Sequence, residues 1–126
     1  MLKNNQAIAT IAVKDIAIAR QFYSETLGLD LVVEEWNGEV LTYQSGTSRI
    51  FVYRSEFAGT NKATSATWTV DKNLEDIASD LKKSGVRFAE YDMPGLSKKG
   101  DVYVGDGMKV AWFYDPDGNV LSIVSG

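Results

Sequence analysis

The sequence contains no cysteine and no histidine, and only two prolines among its 126 residues. The first two absences exclude whole chemistries: a Cys- or His-built zinc site, a thiolate nucleophile, a Ser/His/Asp triad, and an imidazole acid or base. Any chemistry here rests on Asp, Glu, Tyr, Lys, Ser, Thr or the backbone. Long apolar runs are missing too. The opening MLKNNQAIATIAV is broken by Gln6 and Thr10 and followed by Lys14, so it lacks a signal-peptide core. No stretch approaches the roughly 18 apolar residues of a membrane span. The expectation is a cytoplasmic protein with no membrane partner. Lack of cysteine does not by itself fix the redox compartment.

Basic charge is scarce as well. Thirteen Lys and Arg stand against 17 Asp and Glu, a formal charge of −4. Phosphate affinity needs clustered cations, and the only basic doublets are Lys82/Lys83 and Lys98/Lys99. Both read as solvated faces, so no nucleic-acid partner is expected. GDGMK at 105–109 lacks the strand-to-helix context of a phosphate loop and reads as a turn. The length suits one domain, 1–126, able to enclose one small pocket.

What is present is a pattern that occurs twice. AIATIAV at 7–13 reads as a strand. Asp15 is placed to cap a helix whose apolar positions run from Ile16 to Leu27 and which Gly28 stops. Strand-like runs follow at 29–36, 39–45 and 49–54, separated by the turn signals Asn37-Gly38 and Ser45-Gly46-Thr47. After a polar connector at 55–64 the order begins again. SATWTV is a strand, and Leu74, Ile77, Ala78 and Leu81 form one helical stripe ending at Gly85. VRFAEY, MKVAWFY and NVLSIV are the remaining strands, the last two joined by Asp115-Pro116-Asp117-Gly118-Asn119. Val13 falls on Val70, Gly28 on Gly85 and Leu31 on Phe88, a constant offset of 57 residues. The extra chain between Tyr91 and Gly107 reads either as a binding lid or as an added hairpin covering an edge.

Two such modules, about 7–54 and 65–124, with VKDIAIARQFYSETLGLDL in the first and FYDPDGNVLSIV closing the second, resemble the vicinal oxygen chelate superfamily. That superfamily includes glyoxalase I, extradiol dioxygenases, and fosfomycin and bleomycin resistance proteins. The resemblance implies an α+β fold: two tandem βαβββ modules forming a cup-shaped mixed sheet, with helices on the outer face. It also implies a homodimer. In metal-using members four side chains in the cup bind a divalent ion. The corresponding positions are Ile8, five residues before Val13; Ser65, five before Val70; Ser122, seven after Asp115; and, by the best register of IFVYR, Ile50. None is a useful cation ligand, and neither are the neighbours Ala7, Ala9, Arg49, Phe51, Thr64, Ala66, Leu121 and Ile123. Neither a metal nor another cofactor is expected.

Strand alternation then assigns the cup lining. Positions sharing parity with the vacated ligands are Ile8, Thr10 and Ala12; Ile50, Val52 and Arg54; Ser65, Thr67 and Thr69; Val120, Ser122 and Val124. Opposite parity puts Ile11, Val13, Phe51, Tyr53, Trp68, Val70, Leu121 and Ile123 under the helices. Trp112 is the aromatic assigned to the cup. Trp36 either overhangs the cup mouth or a dimer groove, or anchors a rim. The ligand-binding set is therefore Ile8, Thr10, Ile50, Val52, Ser65, Thr67, Trp112 and Ser122, an apolar lining with scattered hydroxyls suited to a small organic ligand. The other reading of this cup is one packed shut by its own small residues, in a structural or regulatory protein. Glu34, Glu35, Glu39, Glu90, Asp92, Tyr43, Tyr91 and Tyr103 are the acid, base or hydrogen-bonding candidates. The expected function is metal-independent binding, with drug or metabolite sequestration as its form. The alternative is a metal-free isomerase- or lyase-like enzyme using a Tyr or carboxylate.

Overall fold

β-branched and small residues make β1 (Ala9–Val13) a strand, and Asp15 turns the chain into α1 (Ile16–Gln21). The Asp15 carboxylate accepts hydrogen bonds from the backbone N–H groups of Ala17 (2.9 Å) and Ile18 (3.2 Å), satisfying donors that the first turn leaves unpaired. The helix then widens into a π-helical turn, Phe22–Thr26, and ends at Gly28, whose φ of 71° suits glycine. The computed structural model describes all residues, Met1–Gly126, in two compact units, Met1–Gly59 and Thr60–Gly126.

In the first unit β2 (Asp30–Glu35), β3 (Val40–Ser45) and β4 (Ser48–Arg54) complete a four-stranded mixed sheet in the order β1-β4-β3-β2. β1 runs parallel to β4, with Ala9 opposite Ile50, Thr10 opposite Phe51 and Ile11 opposite Val52. One face buries Ile11, Val13, Leu41, Tyr43, Ile50 and Val52, and the helical segment buries Ala19, Phe22 and Tyr23. The Tyr23 and Tyr43 rings lie 6.0 Å apart, and the Tyr43 hydroxyl is 2.9 Å from Ser24 Oγ. The helix therefore lies on the face that carries Ile50 and Val52.

The second unit repeats the plan and extends it. β5 (Thr64–Thr69) leads to α2 (Leu74–Lys83), whose stripe buries Leu74, Ala78 and Leu81. Glu75 and Asp76 in its first turn and Lys82 and Lys83 in its last oppose the helix dipole. Then come β6 (Ser97–Lys99), β7 (Val102–Gly105), β8 (Met108–Tyr114) and β9 (Val120–Ser125), in a sheet ordered β5-β9-β8-β7-β6. The fold is α+β, one βαβ-type unit with its own mixed sheet in each half.

One expectation changes and one open alternative is decided. VRFAEY forms no full strand: it makes one bridge, Phe88 to Phe113, flanked by hydrogen bonds from Ala89 N–H to the Trp112 carbonyl and from Tyr114 N–H to the Arg87 carbonyl. The reason is competition for one flank, since β7 takes the first half of β8, leaving 87–89 only the second half. The segment between Tyr91 and Gly107 contains the added hairpin, β6 with β7. It closes tightly enough that a Cβ on Gly105 would sit 2.7 Å from the Gly95 carbonyl oxygen.

The β2–β3 turn holds Trp36, Asn37 and Gly38 all in the left-handed region (φ 56°, 56° and 80°). Asn and Gly tolerate this, but a tryptophan is strained there, and Trp36 is 76% exposed. Trp36→Gly is expected to raise unfolding stability in urea by about 0.5–1 kcal/mol, because relief of strain outweighs the added chain entropy of glycine. Equal or lower stability would count against strain at this position.

Candidate functional site

The first unit's sheet has a face opposite its helix. Pairing puts Thr10, Ala12, Val40, Thr42, Phe51 and Tyr53 there, and alternation carries Ile8 to the same side. The Thr10 hydroxyl donates to the Ile8 carbonyl at 3.1 Å. Ile50 and Val52 are not on this face. A one-residue difference in register exchanges faces, so both pack beneath the helix and Phe51 and Tyr53 replace them. Arg54 shares the Ile50 parity and reaches Glu39 at 2.9 Å.

In the second unit three expected residues come together. Thr67 on β5 pairs with Ser122 on β9, which pairs with Trp112 on β8, so the three form a row across adjacent strands. The Thr67 and Ser122 hydroxyl oxygens are 2.7 Å apart. Ser122 is 3% exposed, while Thr67 is open to solvent. Ser65 stands apart from the row, because the β5–β9 register slips between Thr64 and Ala66 and leaves it without a cross-strand partner. Trp68 lies on the other face, opposite Ile123, as expected.

Two tyrosines enclose the Trp112 ring. Tyr91 meets it edge-on at 5.0 Å between centroids and Tyr103 at 5.3 Å, and the Tyr103 hydroxyl accepts the Tyr91 backbone N–H at 2.7 Å. Alternation alone left either parity of Trp112, Phe113 and Tyr114 open, and it is the pairing with Ser122 that puts Trp112 in this row. No sequence signal grouped Tyr103 with it, since Tyr103 arrives on the added hairpin. Tyr43 instead faces the helix and is fully buried. Among the carboxylates, Glu34 pairs with Arg20, Glu39 with Arg54 and Glu90 with Lys98; Glu35 and Asp92 are exposed.

The turn that sets this row is built from Asp115, which is 1% exposed. Its Oδ1 accepts the backbone N–H groups of Asp117 and Asn119 at 2.9 Å, and its Oδ2 accepts the Asn119 side-chain amide at 2.8 Å. These bonds fix how β9 returns along β8, and thus that Trp112 meets Ser122. Elsewhere in this unit an open hollow of about 940 Å³ is lined by Asp71, Lys72, Asn73, Gly107, Lys109 and Ser125 among others. It gathers none of the expected site residues, and its Lys109 is engaged by Glu75 at 2.6 Å.

A model of the Glyoxalase/Bleomycin resistance protein/Dioxygenase superfamily matches residues 6–123. The chain belongs to this superfamily. Among curated proteins none matches the sequence. Solved structures with the same fold include a glyoxalase family protein from Enterococcus faecalis, 19% identical, TM-score 0.72, over 98% of this chain and 99% of that one. Another is fosfomycin resistance protein FosX from Mesorhizobium loti, 12% identical, TM-score 0.71, over 100% and 94%. A third is an integron cassette protein from the mobile metagenome of the Halifax Harbour sewage outfall, 17% identical, TM-score 0.72, over 97% and 99%.

Pairing now locates the superfamily's metal positions. Thr10 and Thr67 are equivalent by the offset of 57, and they pair with Phe51 and Ser122. The position matching Ser122 is therefore Phe51, not Ile50, and the quartet reads Ile8, Phe51, Ser65 and Ser122. Two hydrocarbon side chains and two neutral hydroxyls do not offset the dehydration of a divalent ion. Nowhere do three Asp or Glu residues converge as a metal cluster. These residues do not fit a bound metal.

Burial raises the Tyr91 pKa above the ordinary tyrosine value, and Tyr114 and Tyr103 add to the effect. A raised native pKa means that the native state holds this proton more tightly than the unfolded chain does. The resulting stability is complete below pH 10 and lost as pH rises through the native value. Ultraviolet titration is expected to show that the tyrosine lost in Tyr91→Phe ionises above the ordinary tyrosine range. An unchanged titration curve in that variant would contradict the assignment.

Proposed function

We propose that this protein binds a small organic molecule without a metal, sequestering a drug or metabolite rather than transforming it. The observation that carries the reading is the Thr67–Ser122–Trp112 row, where hydroxyls and an aromatic cluster occupy a face on which a metal-using relative would set ligands. Hydroxyls orient a ligand and aromatic rings supply contact area, the usual composition of a binding site. Ile8, Thr10 and Phe51 occupy the corresponding face of the first unit. The two units are taken as one glyoxalase-like domain, acting as a homodimer in the cytoplasm.

The enzyme reading is weaker, because Glu34, Glu39 and Glu90 are engaged by cations and no carboxylate lies on the β5, β9 or β8 positions of this face. Screening by thermal shift and tryptophan fluorescence against aromatic and hydrophobic compounds is expected to give at least one saturable response. That response should be unchanged after exhaustive chelation, because no residue set here needs an ion. A screen with no response, or a response abolished by chelator and restored by a divalent ion, would overturn the proposal. Turnover that survives chelator but is lost in Tyr103→Phe would establish the enzyme instead.

A further inference from the structure

The charge distribution around the Thr67–Ser122–Trp112 row specifies the ligand's charge class. Strand pairing places Thr67, Thr69, Val110, Trp112, Tyr114, Val120, Ser122 and Val124 on this face, none of them ionised at neutral pH. The charged groups at its margins are occupied. Arg87 lies over the Tyr114 ring, 5.1 Å from its centroid. Lys98, which pairs across β6–β7 with Tyr103, donates to Glu90 at 3.1 Å.

A cationic ligand would meet no free carboxylate on the row and two marginal cations. An anionic ligand would have to draw Arg87 off an aromatic ring or Lys98 off a carboxylate. Either exchanges an existing pairing of an exposed side chain for a new one, so a charged ligand gains little net attraction. The hydroxyl pair, in contrast, is arranged for a neutral partner. One hydroxyl proton lies between Ser122 and Thr67; when Ser122 donates it, the exposed Thr67 hydroxyl directs its own proton outward. Strands are spaced about 4.8 Å apart, so Thr67 and Trp112, two strands apart, are separated by roughly 10 Å. That distance fits a bicyclic aromatic ring against Trp112 with an oxygen directed to Thr67.

We infer that the ligand is an uncharged aromatic molecule of about two fused rings bearing a hydroxyl or carbonyl oxygen, packed against the Trp112 and Tyr91 rings and hydrogen-bonded to Thr67. This inference rests on the binding reading above and refines it.

The test is equilibrium dialysis of the full chain at pH 7 with four probes built on one ring system: 2-naphthol, unsubstituted naphthalene, naphthalene-2-sulfonate and 2-(aminomethyl)naphthalene. 2-Naphthol is expected to bind at least about tenfold more tightly than either charged probe. Thr67→Val, isosteric on an exposed strand position, is expected to weaken 2-naphthol about fivefold, the loss of one hydrogen bond, and to leave naphthalene unaffected. Trp112→Phe is expected to weaken both neutral probes, with amide spectra verifying that each variant is folded. Binding of a charged probe as tight as that of 2-naphthol overturns the charge class and leaves the binding reading standing. Binding of 2-naphthol that neither substitution changes overturns the site. If no probe binds while the wider compound screen succeeds, the aromatic inference is wrong; if both fail, the binding proposal falls with it.

Discussion

The parallel pairing of the first strand with the last in each unit is the constraint on which the remaining structure depends. Parallel neighbours cannot be joined by a tight turn, so the intervening chain must cross over, and here it does so through a helix and further strands. The register of that pairing decides which residues lie beneath the helix. Thr10 opposite Phe51 sends Ile11, Val13, Ile50 and Val52 into the first unit's core. Thr67 opposite Ser122 sends Leu121 and Ile123 into the second and leaves both hydroxyls on the opposite face. A slip of one residue would bury Thr10 and Phe51 beneath the helix in place of Ile11 and Val52.

Local signals in the chain determine where elements begin and end, and these were legible. Asp15 caps α1, Gly28 and Gly85 take positive φ where their helices stop, and the Leu74, Ala78 and Leu81 stripe is buried. The Asp115 turn fixes β8 against β9 by local hydrogen bonds, which is why Ser122 and Trp112 meet across adjacent strands, although the parity of the 112–114 run was not decided by the sequence alone. No comparable turn ties β4 to β1. Their pairing spans some forty residues and is decided by which side chains fill the core, so Ile50 and Phe51 were exchanged in the sequence reading. β6 was illegible for a different reason: Ser97, Lys98 and Lys99 are all exposed and show no alternation. The π-helical turn at Phe22–Thr26 has no periodic signature either, since it adds one residue to a turn that otherwise reads as α.

A metal centre and a hydroxyl pair place opposite demands on a sheet face. A divalent ion requires several donors whose charges repel one another until the ion arrives, so the empty site is destabilising. Thr67 and Ser122 satisfy one another at 2.7 Å, and no buried side-chain polar atom in the chain lacks a hydrogen-bond partner. The face is therefore stable as it stands. Trp112 is held from two sides by Tyr91 and Tyr103, and Tyr103 is itself fixed through the Tyr91 backbone. Rings already packed in place lose little freedom when a ligand is added, and this preorganisation lowers the cost of binding. Catalysis needs interactions that strengthen as charge develops in the transition state. A neutral, self-satisfied row offers few of those, and that contrast is what supports the sequestration proposed for this row over a proposal of catalysis.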